Sequence, residues 1–367
     1  MVAVLHVTQP TTGGVGRVVL GLARAQADAG LDVTVACPAG PLAGKLANAG
    51  VRWERWESDR QPGRSVAAEM GALDRIITAG RPDLVHLHSS KAGLVGRLAV
   101  RGRRPTVFQP HAWSFLAATG KARFAAIRWE RYATRWTDLT LYCSGHERAE
   151  GIAHGVAGPG RLVLNGVDLD HFHPSTEPER QAARDALDLP ADKFVAAVVG
   201  RRSEQKGQDI AVQAWRRIRA AEPNAMLLLV GDGYRDARDS RAGVVTRAAR
   251  EDVRPVFQAA DIMVSPSRWE GLSLSLLEGM AAGRPTVATD VAGSREALLD
   301  GPLAPGGTVV PAADEDALTE AVLMRLRRPD LTAREGAAAR RRAEAAFSEA
   351  ATTDSVVEAY RLLLARL

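Results

Sequence analysis

The feature that most constrains this chain is a repeated alternation of short apolar runs with longer helical stretches. The apolar runs are rich in Val, Ile and Leu and are bounded by Gly, Pro or Asp. This alternation is typical of parallel β-sheets that are covered by helices, so we predict an α/β fold. The predicted strands are residues 2–7, 32–36, 84–88, 106–109, 139–143 and 162–164 in the first half, and 194–199, 225–230, 262–264, 286–288 and 308–310 in the second.

The chain length indicates two domains. At 367 residues the chain is longer than one hydrophobic core usually supports. We therefore predict two Rossmann-like, doubly wound domains that face each other across a cleft. Turn residues and prolines without a regular period, from Asn165 to Pro190, mark the boundary. We assign residues 1–175 to an N-terminal domain and 176–349 to a C-terminal domain, with a terminal helix at about 350–367 that packs back on the first.

Composition disfavours several classes of protein. Only two cysteines are present, Cys37 and Cys143, and both lie in apolar segments, so neither a disulfide framework nor a zinc ribbon is expected. The net charge of +5 is carried mostly by arginine and is weak evidence for nucleic acid, so we expect no nucleic-acid partner. No apolar run approaches the roughly 18 residues that cross a bilayer, and the first run is too short for a signal peptide. We expect a cytoplasmic protein.

A glycine-rich turn, TTGGVGRVV at 11–19, joins the first strand to a helix. Gly14 and Gly16 let the backbone approach a ligand closely, and the helix amides suit an anion or a hydroxyl-rich group. The turn is not a dinucleotide fingerprint, because Val19 stands at the third glycine position and the second strand does not end in an acidic residue. A tight turn without a ligand is the alternative interpretation.

In the second half, glycines and cations follow two predicted strands. Gly200 and Arg201 end the first of these strands, and Lys206 follows five residues later. Gly231 marks a tight turn after the next strand. The carboxyl ends of parallel strands form the ligand-binding edge of an open sheet, and two cations there suit a diphosphate. A solvated surface charge is the alternative for either cation alone.

The most specific segment is SPSRWEGLSLSLLEGMAAGRP at 265–285. A strand enters a loop, and we predict a helix that begins near Ser273 and ends with Gly283. Glu270 lies in the loop and Glu278 about one turn inside the helix. A carboxylate accepts hydrogen bonds from neighbouring hydroxyls, so the two glutamates suit a ribose diol and a sugar.

The residues between the two glutamates are also predicted to bind a ligand. The amides of Gly271, Leu272 and Ser273 at the helix start can form a nest for a phosphate. The alternative for Glu278 is an exposed helix residue that pairs with Arg284 or with another arginine. The neighbouring leucines occupy the core-facing positions, however, and leave an exposed Glu278 poorly explained.

Together these motifs resemble the family 4 retaining glycosyltransferases of the GT-B fold, and we expect a bacterial member. The resemblance extends from the first strand to the terminal helix. The motifs that carry it are GGVGRVV at 13–19, His111 after TVFQP, NGVD at 165–168, VGR with KG at 199–207, GDG at 231–233, and the Glu-x7-Glu segment at 270–278.

The resemblance implies a role for each motif of the second domain. Arg201 and Lys206 would bind the diphosphate of a nucleotide-sugar donor. Glu278 would hold the ribose, and Glu270 with its following amides would hold the donor sugar. We therefore expect Arg201, Lys206 and Glu270 to act in catalysis as well as in binding.

In the first domain, the resemblance implies that Gly14 lets the domain close against the donor. It also implies that His111 contacts the donor sugar near the reacting carbon. Without the resemblance, a single histidine at a strand end is either a ligand contact or a turn residue. His86 and His88 share one face of a strand, but two histidines without a third ligand favour a structural role over a metal site.

Two positions depart from the family pattern. Arg202 stands where a hydrophobic residue is usual, and the segment AGVVTRAARE at 242–251 lacks the expected strand and glycine. This region commonly frames the nucleotide base, so the base stays open. Arg247 and the nearby backbone are the candidates for contacting it.

The resemblance implies transfer of a hexose-type sugar with retention of configuration. No carboxylate nucleophile is evident for the acceptor side, so we expect front-face attack, in which the leaving diphosphate takes the acceptor proton. No histidine cluster in the sequence indicates a metal, and we expect neither a metal nor a cofactor. The alternatives are a nucleotide-sugar epimerase of the same architecture and a non-catalytic nucleotide-sugar-binding protein.

The acceptor, a glycan, a lipid-linked sugar or a small molecule, is expected to bind the first domain. From Arg101 to Arg135 there are eight Lys or Arg residues and one acidic residue, Glu130, with aromatic residues among them. Such a mixture along a helix can dock peripherally on an anionic membrane, here its inner face. Alternatively, the aromatic rings pack inside the domain and the arginines are solvated.

Overall fold

A computed structural model describes residues 2–61 and 63–366 of the chain. The chain forms two compact units: one runs to Asn165 and resumes at Glu349, and the other extends from Gly166 to Ser348. Each unit contains a seven-stranded sheet with helices between its strands. The predicted class, α/β with two Rossmann-like domains, is thereby confirmed.

The first unit is built on an all-parallel sheet in the order β3-β2-β1-β4-β5-β6-β7. Its strands are β1 (Ala3–Thr8), β2 (Asp32–Cys37), β3 (Arg52–Arg55), β4 (Leu84–His88), β5 (Thr106–Gln109), β6 (Leu139–Tyr142) and β7 (Gly160–Leu162). The strand order reverses between β1 and β4. Open sheets bind ligands beside such a reversal, at the carboxyl ends of the strands.

Seven helices of the described chain belong to this unit. They are α1 (Gly13–Asp28), α2 (Pro41–Asn48), α3 (Val66–Gly80), α4 (Ser89–Val100), α5 (Gly120–Ala133), α6 (Gly145–Ala153) and the C-terminal α14 (Glu349–Leu364). The side chains of Val356 and Tyr360 on α14 are buried in one cluster with Leu84 and Val107 of the sheet. This apolar packing makes the end of the chain part of the first unit.

The second unit has the sheet order β10-β11-β9-β8-β12-β13-β14, in which only the edge strand β10 is antiparallel. Its strands are β8 (Phe194–Val199), β9 (Ala225–Val230), β10 (Ala237–Asp239), β11 (Val244–Arg247), β12 (Ile262–Ser265), β13 (Thr286–Thr289) and β14 (Gly307–Val310). β8 and β9 are continuous apolar runs, as expected for strands covered on both faces. The order reverses between β8 and β12.

The helices of the second unit pack against its sheet, and the last two follow its final strand. They are α7 (Glu177–Ala186), α8 (Gln208–Ala221), α9 (Arg254–Ala259), α10 (Leu274–Ala281), α11 (Ser294–Leu298), α12 (Glu315–Arg327) and α13 (Pro329–Ala346). The first of them, α7, begins with a capping box in which Thr176 and Glu179 bond each other's backbone amides.

The expectation that the 242–251 segment lacks a strand and a glycine was wrong. Val244–Arg247 forms β11 and pairs in parallel with β9. Gly243 precedes it with a φ of 64°, a conformation that favours glycine. The strand escaped prediction because it has only four residues and half of them are only partly buried. β3 and β10, at the sheet edges, were missed for the same reason.

The boundary between the units lies at 165/166 rather than at 175/176. The intervening segment is bound to the second unit, because Val167 N donates to the carbonyl of Phe347 at 2.8 Å. The Phe172 ring also packs edge-on against Phe257, with 5.7 Å between ring centroids. Residues that look like a linker in sequence are thus held by long-range contacts.

Candidate functional site

Close backbone packing shapes the carboxyl edge of the second sheet, the row of loops that follow its strands. Gly231 follows β9 with a φ of 152°, and a Cβ there would overlap the carbonyl oxygen of Gly200. Gly207 has a φ of 61°, and a Cβ there would overlap the carbonyl oxygen of Pro266. Only glycine fits at Gly207 and Gly231. The loops after β8, β9 and β12 therefore lie against one another beside the strand reversal.

Lys206 and Glu270 form an ion pair at this edge. The Nζ of Lys206 lies 2.5 Å from Glu270 Oε1, and the side chains are 22% and 9% exposed. Ser267 Oγ donates to the same oxygen at 2.8 Å, and Thr289 Oγ1 fixes the Ser267 carbonyl at 2.5 Å. Among the described residues, both bonds fall on Oε1, so the Oε2 oxygen is left to accept from a ligand. Sequence reasoning assigned Lys206 and Glu270 to different parts of a donor, and the fold brings them together.

A buried amide holds the loop that carries Arg201. Gln208, the first residue of α8, donates through Nε2 to the carbonyls of Arg201 at 2.9 Å and Gly200 at 3.3 Å. Its Oε1 accepts from the backbone amide of Ser203 at 3.4 Å. Sequence reasoning missed Gln208, although its position directly after the Lys-Gly pair was an available signal. The loop is therefore held in one conformation.

Glu278 is a buried residue of α10, with 3% of its surface exposed. The alternative interpretation, an exposed helix residue, is therefore wrong. Arg284, the partner considered for it, donates to Ser175 Oγ at 2.6 Å and to the Gln258 carbonyl at 3.2 Å. Burial lowers the pKa of Arg284 to about 10. A carboxylate placed inside the fold next to the strand reversal is suited to binding a ligand.

Gly271, Leu272 and Ser273 precede α10, close to the predicted helix start. Leu272 and Ser273 are buried. Gly293, with a φ of 79°, packs against the Gly271 carbonyl and Leu272, where a Cβ would come within 2.8 Å of the carbonyl oxygen. This packing holds the predicted phosphate nest against the loop that follows β13.

Arg247 and Arg202 have other contacts in the described chain. Arg247 is buried, and its guanidinium donates to the carbonyls of Leu187 at 3.1 Å and Thr246 at 3.0 Å. It thus joins β11 to the end of α7, and its contact with a nucleotide base stays a prediction. Arg202 is exposed and lies 6.0 Å from the centroid of the Tyr234 ring.

In the first unit, the glycine-rich turn leads directly into α1. Gly13 begins the helix with a φ of 71°, and Gly14 is exposed in its first turn. Gly16 is buried, and a Cβ there would come within 3.1 Å of the Thr11 carbonyl carbon. Gly16 is therefore needed for packing, and Gly14 is the glycine that a ligand can approach.

His111 lies just beyond β5, at the end of a chain of hydrogen-bonded side chains. Its Nε2 is 3.2 Å from His88 Nδ1, and His88 Nε2 is 2.9 Å from His6 Nδ1. The chain ends where His6 Nε2 meets Gln26 Oε1 at 2.8 Å. His6, Gln26 and His88 are fully buried. Sequence reasoning missed His6 and Gln26, although a histidine inside the apolar strand β1 was a signal.

Burial keeps these histidines uncharged. It lowers the pKa of His6 and of His111 to about 4. Burial also lowers the pKa of His86 and of His88 well below the usual value, and neighbouring histidines add to the shift. His6, His86 and His88 each place one ring nitrogen within 4.8 Å of the others, so the fold supplies the third histidine that the sequence pair lacked. His86 Nδ1 also lies 2.5 Å from the hydroxyl of Tyr360.

The backbone at His111 is strained, and Glu147 holds it. His111 and Ala112 have φ values of 52° and 86°, which non-glycine residues rarely adopt. Glu147 Oε1 accepts from Ala112 N at 2.7 Å, and Oε2 accepts from Cys143 N at 2.9 Å. Burial raises the pKa of Glu147, and the two amide bonds oppose the shift. Sequence reasoning missed Glu147, and the contact of His111 with a donor sugar stays a prediction.

The predicted basic and aromatic mixture divides between the core and one face of α5. Glu130 is buried in an ion pair with Arg97 at 2.7 Å, so it adds no charge to the surface. Phe124 and Tyr132 are 62% and 47% exposed, whereas Trp113 and Phe115 are buried. In the described chain, no helix has the length and apolar character needed to span a membrane. The exposed residues at helical spacing on and after α5 are Lys121, Phe124, Arg128, Tyr132 and Arg135.

Two family models match the chain, "Glycosyltransferase Family 4" over residues 12–171 and "Glycosyl transferases group 1" over 193–328. The chain is 33% identical over 305 residues to D-inositol 3-phosphate glycosyltransferase of Mycolicibacterium paratuberculosis, covering 77% of this chain and 67% of that protein. It is 27% identical over 239 residues to the Escherichia coli UDP-Gal:alpha-D-GlcNAc-diphosphoundecaprenol alpha-1,3-galactosyltransferase, covering 61% and 62% of the two chains.

Solved structures share the same fold. Sucrose-phosphate synthase from Thermosynechococcus elongatus matches with a TM-score of 0.83 and 22% identity, over 100% of both chains. Anabaena HepE in complex with UDP and glucose matches with a TM-score of 0.83 and 21% identity, over 98% of this chain and 100% of that one. At these identities the likeness concerns the fold alone.

Proposed function

Because the chain belongs to glycosyltransferase family 4 and has the GT-B fold, we propose that it transfers a hexose-type sugar from a nucleotide-diphosphate sugar to an acceptor hydroxyl, with retention and without a metal. The observation that carries this proposal is the Lys206–Glu270 pair at the strand reversal of the second sheet. A cation and a carboxylate fixed beside glycine-packed loops suit a sugar diphosphate. The Escherichia coli relative is named for a UDP-Gal donor, and HepE was crystallised with UDP-glucose.

In this proposal the second unit binds the donor. Arg201 and Lys206 bind the diphosphate, and Gly200 and Gly231 let it approach the backbone. These roles are supported by the loop after β8, which Gln208 holds, and by the close packing of Gly231 against Gly200.

The ribose and the sugar are bound through carboxylates and the start of α10. Glu278 holds the ribose diol, a role that its burial supports. Glu270 accepts from sugar hydroxyls through Oε2, while Lys206 and Ser267 hold Oε1. The amides of residues 271–273 bind phosphate oxygens at the helix start.

The reaction is proposed to follow a front-face path. The bond from the anomeric carbon to the phosphate oxygen breaks, and its electron pair goes to the diphosphate. The acceptor oxygen bonds to the same face of that carbon, and its proton moves to the departing phosphate oxygen. Arg201 and Lys206 stabilise the charge that develops there. Burial lowers the pKa of His111 to about 4, so His111 is uncharged and is not the acid that protonates the leaving group.

A lipid-linked sugar at an anionic membrane surface is the acceptor that we propose. Its support is the exposed face of α5, which carries cations and two aromatic rings. The Escherichia coli relative is named for a diphosphoundecaprenol acceptor. The enzyme would then associate peripherally with the inner face of the membrane.

Vesicle flotation at low salt tests the membrane contact. We expect binding to phosphatidylglycerol vesicles and not to phosphatidylcholine vesicles, and release by salt. Arg128→Glu should abolish binding, whereas Arg216→Glu, an exposed residue of α8, should not. Absence of binding by the wild-type chain would leave a soluble glycan or a small molecule as the acceptor.

A donor screen tests the transferase itself. UDP-, GDP- and dTDP-sugars are compared by thermal shift, because a ligand that binds the native state raises the melting temperature. We expect one class to bind, Glu278→Gln to lose the shift, and Glu320→Gln, an exposed control, to retain it. Conversion of the donor without an acceptor would indicate an epimerase, and binding without turnover would indicate a sensor.

A further inference from the structure

The histidine chain of the first unit has one direction of donation. Gln26 Oε1 only accepts, so the proton of His6 lies on Nε2 and His6 Nδ1 accepts from His88 Nε2. His88 Nδ1 then accepts from His111 Nε2. Each neutral histidine thus has its tautomer set by its hydrogen-bond partner on the Gln26 side. The proton of His111 therefore lies on Nε2.

The oxygen of the Gln26 amide, and not its nitrogen, faces His6 at 2.8 Å. Gln26 and His6 are both fully buried, so this bond is shielded from solvent.

We propose that Gln26, His6 and His88 are positioning residues that hold His111 as its Nε2–H tautomer and leave Nδ1 to accept a hydrogen bond from a sugar hydroxyl. The proposal rests on the proposed glycosyl transfer. It deepens that proposal because it assigns the polarity of the contact. A hydroxyl must donate to His111, and a substrate group that only accepts is rejected.

Two features of the fold support this polarity. Burial keeps His6, His88 and His111 uncharged. This matters because a protonated His111 would donate from both ring nitrogens and would have no acceptor. The backbone amide of Ala112 donates to Glu147, and this bond fixes the backbone from which the His111 ring extends.

A metal ion would compete with this chain. His6 Nδ1 and His88 Nε2 are 2.9 Å apart and share one proton. A metal bound by these nitrogens would displace that proton and remove the direction of donation. The hydrogen-bonded chain and a three-histidine metal site therefore exclude each other.

The first experiment measures tautomers without activity. Two-bond ¹H–¹⁵N correlation spectra of the ¹⁵N-histidine-labelled chain, treated with chelator, distinguish Nε2–H from Nδ1–H rings. We expect Nε2–H for His6, His88 and His111, and a mixture at His111 in Gln26→Met, which removes the anchoring oxygen. An Nδ1–H ring at His111 in the wild type would overturn the proposal, as would unchanged tautomers in Gln26→Met.

The second experiment measures transfer. Gln26→Met and His88→Leu should each lower kcat/KM about tenfold, the effect of losing one oriented hydrogen bond, with nucleotide diphosphate affinity unchanged. His86→Leu is the matched control, since His86 is equally buried on β4 but bonds Tyr360 rather than His111. An equal loss in His86→Leu would mean a purely structural role.

The two experiments separate the proposals. If the wild-type chain transfers no sugar to any acceptor, the proposed function fails, and the spectra still report the tautomers. If it transfers sugar but His111 is not the Nε2–H tautomer, only the inference about the histidine chain fails.

Discussion

The carboxyl edges of the two sheets occupy corresponding positions in their folds but differ in the charge of their side chains. Each edge lies at a reversal of strand order in a seven-stranded sheet. In the first unit the edge carries a chain of uncharged histidines that ends at His111, and in the second it carries the Lys206–Glu270 ion pair. The shared fold provides the position of a site, and the side chains decide whether that site suits hydroxyls or a diphosphate.

The two edges are held by similar means. Glu147 in the first unit and Gln208 in the second are buried polar residues at or near a helix start that bond backbone groups of the neighbouring loop. Such fully bonded side chains restrict a loop without adding apolar surface. Functional side chains at both edges therefore stand on loops with fixed backbones.

The largest expected effect is at the charged edge. Lys206→Ala removes the cation and leaves Glu270 partly buried without its partner, so we expect kcat/KM for transfer to fall about hundredfold or more. Calorimetry with nucleotide diphosphate should show the same loss. Lys193→Ala is the control, because that lysine pairs at 3.9 Å with the exposed Asp192. Unchanged nucleotide binding in Lys206→Ala would contradict the proposal that this edge binds a diphosphate.

Gly231→Ala should disturb the charged edge through its backbone. The added Cβ overlaps the Gly200 carbonyl, so the loops must separate, and we expect a loss of about 1–3 kcal/mol in the free energy of unfolding and weaker donor binding. Urea denaturation measures the first and calorimetry the second. Gly158→Ala, where no atom lies within 4 Å, should cost little. Equal stability of the two variants would contradict the packing argument.

The uncharged edge should make the first unit sensitive to acid. His6 and His111 have a pKa of about 4 in the folded chain against the usual 6.5. Between these values the unfolded chain takes up protons that the folded chain excludes. The free energy of unfolding therefore falls as pH decreases from 6.5 to 4, by up to roughly 1.4 kcal/mol per pH unit for each histidine.

Hydrogen exchange at pH 7 and pH 5 checks this prediction, because peptides report each unit separately. The intrinsic pH dependence of exchange is removed by comparison with the unfolded chain. Protection should fall in β1, β4 and β5 and remain in β8, β9 and β12. An equal loss of protection in both sheets would contradict the prediction that only the first unit is sensitive to acid through its histidines.

The smallest expected effect comes from Glu147→Gln. One of the two amides of Ala112 and Cys143 loses its acceptor, and the strained turn at His111 relaxes. We expect transfer to fall about tenfold, while nucleotide affinity, a property of the second unit, stays unchanged. Glu150→Gln on the same helix is the control. A loss of nucleotide affinity in Glu147→Gln would show that the two edges are not independent.

Much of the fold was predictable because the central strands are unbroken apolar runs. β4, β5, β8 and β9 have the predicted bounds. The short strands β3, β10 and β11 were not predictable, because they are partly or fully exposed and are held by their neighbours. The domain boundary was predicted at 175/176 instead of 165/166 for a similar reason, since the Val167–Phe347 bond has no local signal.

The sequence by itself determined where most strands and helices lie along the chain, which turns need glycine, and which polar residues follow the strands. These features depend on neighbours a few positions away. Only the tertiary structure decided that Lys206 meets Glu270 and that His6, His88 and His111 form one chain with Gln26. Those contacts depend on which strands lie side by side and in what register. Local periodicity does not show which strands become neighbours in the sheet.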